Sequence, residues 1–270
     1  MSELFAHRRR ILQAAAVVPF VVVLFAGCAI VSHQPQTPAR KVSYKDLNNP
    51  PVPGERYYLL VFGSETFPKI PRFTHSWITF IRVPADGSPL EHHSISWMPS
   101  TLFIKTFRPT VEPGVNLTLH ESIEMALHYH ERISMWGPYE IPPGLYRKFM
   151  IQKQFLESGE IGYQCIDTYG EAGWTGDGSN CIHAISDADV MFARQAYPLT
   201  YFGDSASLNI LRKMAERGAI IDVKTTHDFV LPALKIDQYP ITRREYTPPL
   251  IPGPLRFGPF VRPGPGDPGP

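Results

Sequence analysis

Gly178-Ser179-Asn180-Cys181-Ile182-His183-Ala184-Ile185, GSNCIHAI, sets a cysteine directly behind two small polar residues and ahead of apolar positions at helical spacing. Asn180 or Ser179 can cap a helix, and Ile182, Ile185, Ala188 and Phe192 continue its period, so Cys181 falls in the first turn. Unpaired backbone N–H groups and the helix dipole stabilise negative charge there, which lowers a thiol's pKa and makes it a better nucleophile. The same N–H groups suit the oxyanion that forms when a thiolate attacks a carbonyl. The competing reading is structural. Cys165 is the other cysteine beyond the leader, and in an oxidising compartment the two can pair, closing a loop worth about 3 kcal/mol. Cys165 lies in an expected strand and Cys181 at a helix start, so their side chains need not meet at bonding distance.

The compartment follows from the first residues. His7 to Arg10 are basic and precede an apolar run from Ile11 to Ala26, the order of a signal sequence. Leu24-Phe25-Ala26-Gly27-Cys28 resembles the lipobox of bacterial lipoproteins, which implies lipidation at Cys28; Phe25 departs from the branched aliphatic residue usual at its position. The alternative is an uncleaved anchor, because Ile11 to Val31 has the length of a membrane-spanning helix. Either way the expectation is a bacterial cell-envelope protein tethered to a membrane, through a lipidated Cys28 or the apolar segment, with its domain outside the cytoplasm. A net charge of +1, with basic residues scattered among acidic ones, offers no nucleic-acid surface. Expected boundaries are a leader over 1–28, a flexible tether over 29–53, one domain over 54–236, and a Pro/Gly-rich tail over 237–270.

Within the domain, Arg56–Phe62 and Phe73–Val83 are expected strands, and Ala85-Asp86-Gly87-Ser88 supplies a turn before a returning strand, His92–Met98. Leu102–Phe107 is expected to be a further strand. Thr118 and Glu121 form a capping box ahead of LHESIEMALHYHERI, a helix. A second helix follows Pro142-Pro143, Gly162–Thr168 is an expected strand, a last helix runs from Asp204-Ser205 to Gly218, and Ala219–Val223 is an expected final strand. Separated helices and antiparallel strands make the fold class α+β.

An imidazole within reach of Cys181 would take its proton and return it to the leaving group. His75, inside FTHSWITFIRV, shares a strand face with Trp77, Thr79 and Ile81; the plainer reading of it is a buried, hydrogen-bonded histidine. His75, a histidine on the returning strand and Asn180-Cys181-Ile182-His183 together resemble the circularly permuted relatives of NlpC-type cell-wall peptidases, a group that includes the lecithin:retinol acyltransferase family. The resemblance spans roughly residues 56–195. It implies a papain-like fold with Cys181 as nucleophile, His75 as general base and a second-strand histidine orienting His75. No cofactor is expected. Ala184 replaces the aromatic residue usual after the motif's second histidine, the strand after His75 lacks the common glycine, and the insert before Cys181 is long. For the orienting residue, the turn geometry favours His92, whereas burial favours His93, which alternates with Ile95 and Trp97; the choice falls on His93. His183 points away from the Cys181 face and is expected to make a structural hydrogen bond. A zinc site through His75, His93 and Cys181 lacks the paired ligand spacing such sites use. The function expected is thiol-based hydrolysis or acyl transfer on a cell-wall peptide amide or a lipid ester, and the alternative is a non-catalytic envelope scaffold or binding module with Cys181 disulfide-bonded or inert.

Overall fold

A computed structural model describes residues 52–167, 178–188 and 202–249. The leader with Cys28, most of the tether, Phe192 of the expected helical stripe and the end of the tail lie outside them. In chain order the strands are β1 (Arg56–Glu65), β2 (Thr74–Val83), β3 (Glu91–Ile95), β4 (Trp97–Pro99), β5 (Gly114–Asn116), β6 (Arg132–Glu140), β7 (Gly162–Tyr163), β8 (Gly178–Ser179) and β9 (Ile241–Arg244). The helices are α1 (Leu119–His128), α2 (Pro143–Glu157), α3 (Cys181–Ser186), α4 (Asp204–Glu216) and α5 (Leu231–Leu234).

Five strands form the main sheet in the order β3-β2-β1-β6-β9, antiparallel except for the parallel pair of β6 and β9. The class is therefore α+β. Apolar residues fill β1 almost without interruption because both faces of the sheet are covered. Leu59, Val61, Ile78 and Phe80 pack with Leu145 and Phe149 of α2, Ile185 of α3 and Leu211 of α4. On the other face Tyr58, Leu60, Phe62, Trp77 and Ile81 pack with Leu119 and Ile123 of α1 and Leu234 of α5. The Phe62 and Trp77 rings stack at 5.0 Å.

The capping box of α1 forms as expected: the Thr118 hydroxyl accepts from the Glu121 amide, and the Glu121 carboxylate accepts from the Thr118 amide. The helix then stops at His128, short of the expected Ile133, and His130 takes φ 58°. Arg132–Glu140 becomes the sheet's β6 instead. Gly137-Pro138 inside that run has the look of a turn. Gly137, at φ 93°, sits where the register of β1 shifts against β6, and a side chain there would meet the Leu59 carbonyl at 2.6 Å.

Leu102–Phe107 is a loop and not a strand, with Ile104 buried to hold it. Of the expected 162–168 strand, Thr168 lies outside the described residues and among 162–167 only Gly162–Tyr163 forms a strand; 219–223 is no strand. The expected domain boundary at 236 also moves, because β9 adds 241–244 to the sheet. In the small β4–β5 sheet, Gly114 lies flat beneath Trp97: an added Cβ would fall 1.9 Å from the indole, whose Nε1 donates to the Gly162 carbonyl at 3.3 Å. Gly114→Ala is expected to cost about 1–3 kcal/mol, read as a fall in thermal midpoint of about 2–4 °C per kcal/mol. An unchanged midpoint would mean that Trp97 is not held where the structure has it.

Candidate functional site

Cys181 opens α3. The Asn180 side-chain oxygen accepts from the Ile182 and His183 amides, each at 2.9 Å, while its amide nitrogen donates to the Cys165 carbonyl at 3.3 Å. One side chain thus caps the helix and ties it to the neighbouring segment. The helix tip packs on β2. There, β3 pairing ends at Ile78↔Ile95, and among the described residues no strand pairs with positions 74–77 of β2 on that edge. The sulfur meets the backbone amide of Ser76 at this open edge, together with the amides of Cys181 and Ile182. Burial pushes the thiol up to about 11, and the three amides pull against it. Cys165 is pushed up to about 12, again by burial. Both cysteines are free thiols.

His75 is the residue before Ser76 and is buried, with its ring stacked on Trp77 at 5.4 Å. Its Nε2 lies 2.8 Å from the Ser96 hydroxyl, which in turn bonds the Ser122 hydroxyl of α1 at 2.7 Å. Its Nδ1 has no hydrogen-bond partner. The structure therefore brings the helix tip and the histidine to neighbouring positions on one strand, but no hydrogen bond joins sulfur to imidazole. Adjacent strand residues point to opposite faces: the Ser76 hydroxyl sits beside that of Ser207 of α4 at 2.9 Å, while His75 turns toward α1.

His93 does not orient His75. The register sets His93 opposite Phe80 and His92 opposite Ile81, five and six residues along β2 from His75, about 17–20 Å at 3.3 Å per residue. The His93 ring lies against Phe80 instead, at 5.9 Å. Ser96, not a histidine, makes the hydrogen bond to the His75 ring. The signal for it was visible: His92, Ser94 and Ser96 alternate, and that polar stripe faces inward, with Ser94 at 2.9 Å from the Thr79 hydroxyl. The rule that the apolar face is the buried one fails here because both faces of β3 are covered near its end.

Two further buried groups escaped the sequence reading. Asp167 holds Nδ1 of His183 in a close buried contact, a structural bond of the kind expected for that histidine. Glu131, behind α1, accepts from the Ser64 hydroxyl at 2.5 Å, and Ser64 stands opposite His75 in the β1–β2 register. Among the described residues no group of three or more His, Cys, Asp or Glu gathers as metal ligands. A surface recess of about 630 Å³, lined by Trp97, Glu112, Asn116, Leu156 and Gly162 among others, includes none of Cys181, His75, His92 or His93.

Burial drives His75 down to about 3 from an ordinary 6.5 and Glu131 up to about 7 from 4.5. The unfolded chain takes a proton on His75 below pH 6.5 that the folded chain refuses, so this group loses stability as pH falls from 6.5 to 3. Glu131 has the opposite sign: its contribution is full below 4.5 and is lost as pH rises to 7. The two oppose each other between 4.5 and 6.5, and below 4.5 His75 acts alone, with a slope of about 1.4 kcal/mol per pH unit. Urea midpoints across this range are expected to show His75→Phe flattening the acid limb and Glu131→Gln gaining stability only above 4.5. Parallel profiles for parent and variants would contradict the burial of these groups.

The chain, with its α+β fold and a capped cysteine against a sheet edge, matches no protein-family model, no curated protein and no solved structure.

Proposed function

We propose that the domain is a papain-like thiol hydrolase or acyltransferase, tethered to a cell-envelope membrane through its leader or a lipidated Cys28, and that Cys181 is its nucleophile. The observation that carries this reading is the meeting of Cys181 with the Ser76 amide, one residue from a histidine whose Nε2 is held by Ser96 and whose Nδ1 is unpartnered. In this reading Nδ1 of His75, which makes no hydrogen bond to the sulfur at rest, moves to it when substrate binds and takes the thiol proton as the sulfur adds to an amide or ester carbonyl. The tetrahedral intermediate then collapses to a thioester and a protonated leaving group, and water or an acceptor alcohol or amine releases the acyl group. Ser96 takes the orienting role that the family resemblance assigns to a histidine.

With the thiol near 11 and the imidazole near 3, both groups rest neutral rather than as an ion pair. Proton transfer then belongs to the acylation step itself. The same burial favours a second reading, a scaffold whose thiol is inert, since Cys181 is only 9% exposed.

An activated acyl ester offered to the full chain in vesicles separates the two. The enzyme reading expects a hydroxylamine-labile adduct on Cys181, located by peptide mass spectrometry, and little on Cys165. Equal, slow labelling of both cysteines, or none, overturns the enzyme reading.

A further inference from the structure

Two loops at the β1–β2 end of the sheet carry the same alternation of aromatic or aliphatic and basic residues. One is Phe67-Pro68-Lys69-Ile70-Pro71-Arg72, the other Phe103-Ile104-Lys105-Thr106-Phe107-Arg108. Four of their large apolar side chains face water: Phe67 is 88% exposed, Phe107 73%, Phe103 38% and Ile70 37%. Single exposed apolar residues are ordinary, but here two loops present them together. Arg72 joins the loops, with its guanidinium carbon 4.8 Å from the Phe73 ring centre and 5.8 Å from that of Phe103. Ile104 is buried in the core and pins the second loop, so Phe103 and Phe107 on either side of it are held outward.

The charge of this face is positive. Lys105 and Arg108 share one carboxylate, Glu112, at 2.7 and 3.3 Å, and Lys69 meets Glu65 at 2.8 Å. Arg72 has no carboxylate partner among the described residues and is exposed. Phenylalanines projecting beyond guanidinium and ammonium groups match the two layers of an anionic bilayer surface: rings at the acyl boundary, cations among the phosphates. The apolar run of residues 11–26 lies before the domain with about 25 residues between; on the proposed membrane attachment, which this inference rests on, that spacing would keep such a surface at high local concentration.

We propose that the 67–72 and 103–108 loops dock the domain onto anionic lipid, which turns the start of β2, with His75 and the neighbouring tip of α3, toward the membrane. The proposal is independent of the chemistry at Cys181, because Cys181→Ser leaves both loops untouched.

The test uses full-length chain in phosphatidylcholine vesicles, with and without phosphatidylglycerol, each carrying a trace of phospholipid with a diazirine near the headgroup. After photolysis, peptide mass spectrometry locates the adducts. Docking expects them on both loops, in parent and Cys181→Ser chain alike, with yields falling about tenfold when the anionic lipid is left out. The exposed Phe229 and Ile221 should stay unlabelled. The double variant Phe67→Asp, Phe107→Asp changes only exposed side chains; it should lose the loop adducts and keep those on the leader. Adducts confined to the leader, or equal on Phe229 and the loops, overturn the proposal and leave a protein partner as the occupant of this face.

Discussion

Replacing His75 by alanine is expected to slow acylation of Cys181 by about 10²–10⁴-fold, the usual contribution of a positioned general base. The magnitude follows from the resting ionisation states. Burial holds the thiol near 11, so at neutral pH almost no thiolate exists without a base, and the three backbone amides at the sulfur only partly offset that burial. Cys181→Ser should remove the adduct altogether. Ser96→Ala leaves Nδ1 in place but releases Nε2, so it should lower kcat by about tenfold with KM unchanged, the mark of positioning rather than substrate binding. Acylation of His75→Ala within threefold of the parent would remove the imidazole from the mechanism. If both parent and variant are silent toward acyl esters, the scaffold reading stands. Matched thermal midpoints are needed for each variant, since His75 also packs on Trp77.

Trp77→Ala should cost about 3–5 kcal/mol, a large share of the roughly 5–15 kcal/mol that holds a typical domain together. The indole is fully buried, stacked on Phe62 at 5.0 Å and on His75 at 5.4 Å. It also lies just past the last β2–β3 pair, Ile78↔Ile95, where among the described residues no strand continues the sheet to help it collapse around the cavity. Trp77→Phe keeps the stack and removes an indole N–H that has no hydrogen-bond partner, so its cost should be well under half that of alanine. Chemical denaturation reads both. An alanine variant within 1 kcal/mol of the parent would mean that this face of the sheet is not packed as described.

Strands β1 and β2, the capping box of α1 and the Asn180 cap of α3 were legible because each rests on neighbouring residues: an apolar run, a Thr-to-Glu spacing, an asparagine before a helical stripe. The α+β class follows from these. What was not legible depends on partners far along the chain. Arg132–Glu140 is sheet because β1 lies on one side of it and β9 on the other, whereas its own Gly137-Pro138 imitates a turn. The partner expected for His75 is His92 or His93, yet the β2–β3 register carries both of them to the far end of the hairpin. Ser96 reaches His75 only because the chain runs straight on from β3. Asp167 and Glu131 become informative once folding buries them, and nothing in the adjoining residues announces that.

The place of β9 in the sheet bears on how the chain must come together. Ile241–Arg244 lies in the proline-dense stretch yet supplies the outermost strand, parallel to β6, and Arg243 fastens it to Asp228 through two contacts, of 2.6 and 2.8 Å. Until those late residues arrive, the β6 border stands bare, a template for any extended peptide. A shortened polypeptide ending near 236 should therefore be sticky, whereas one carried through Tyr246 keeps its own clasp.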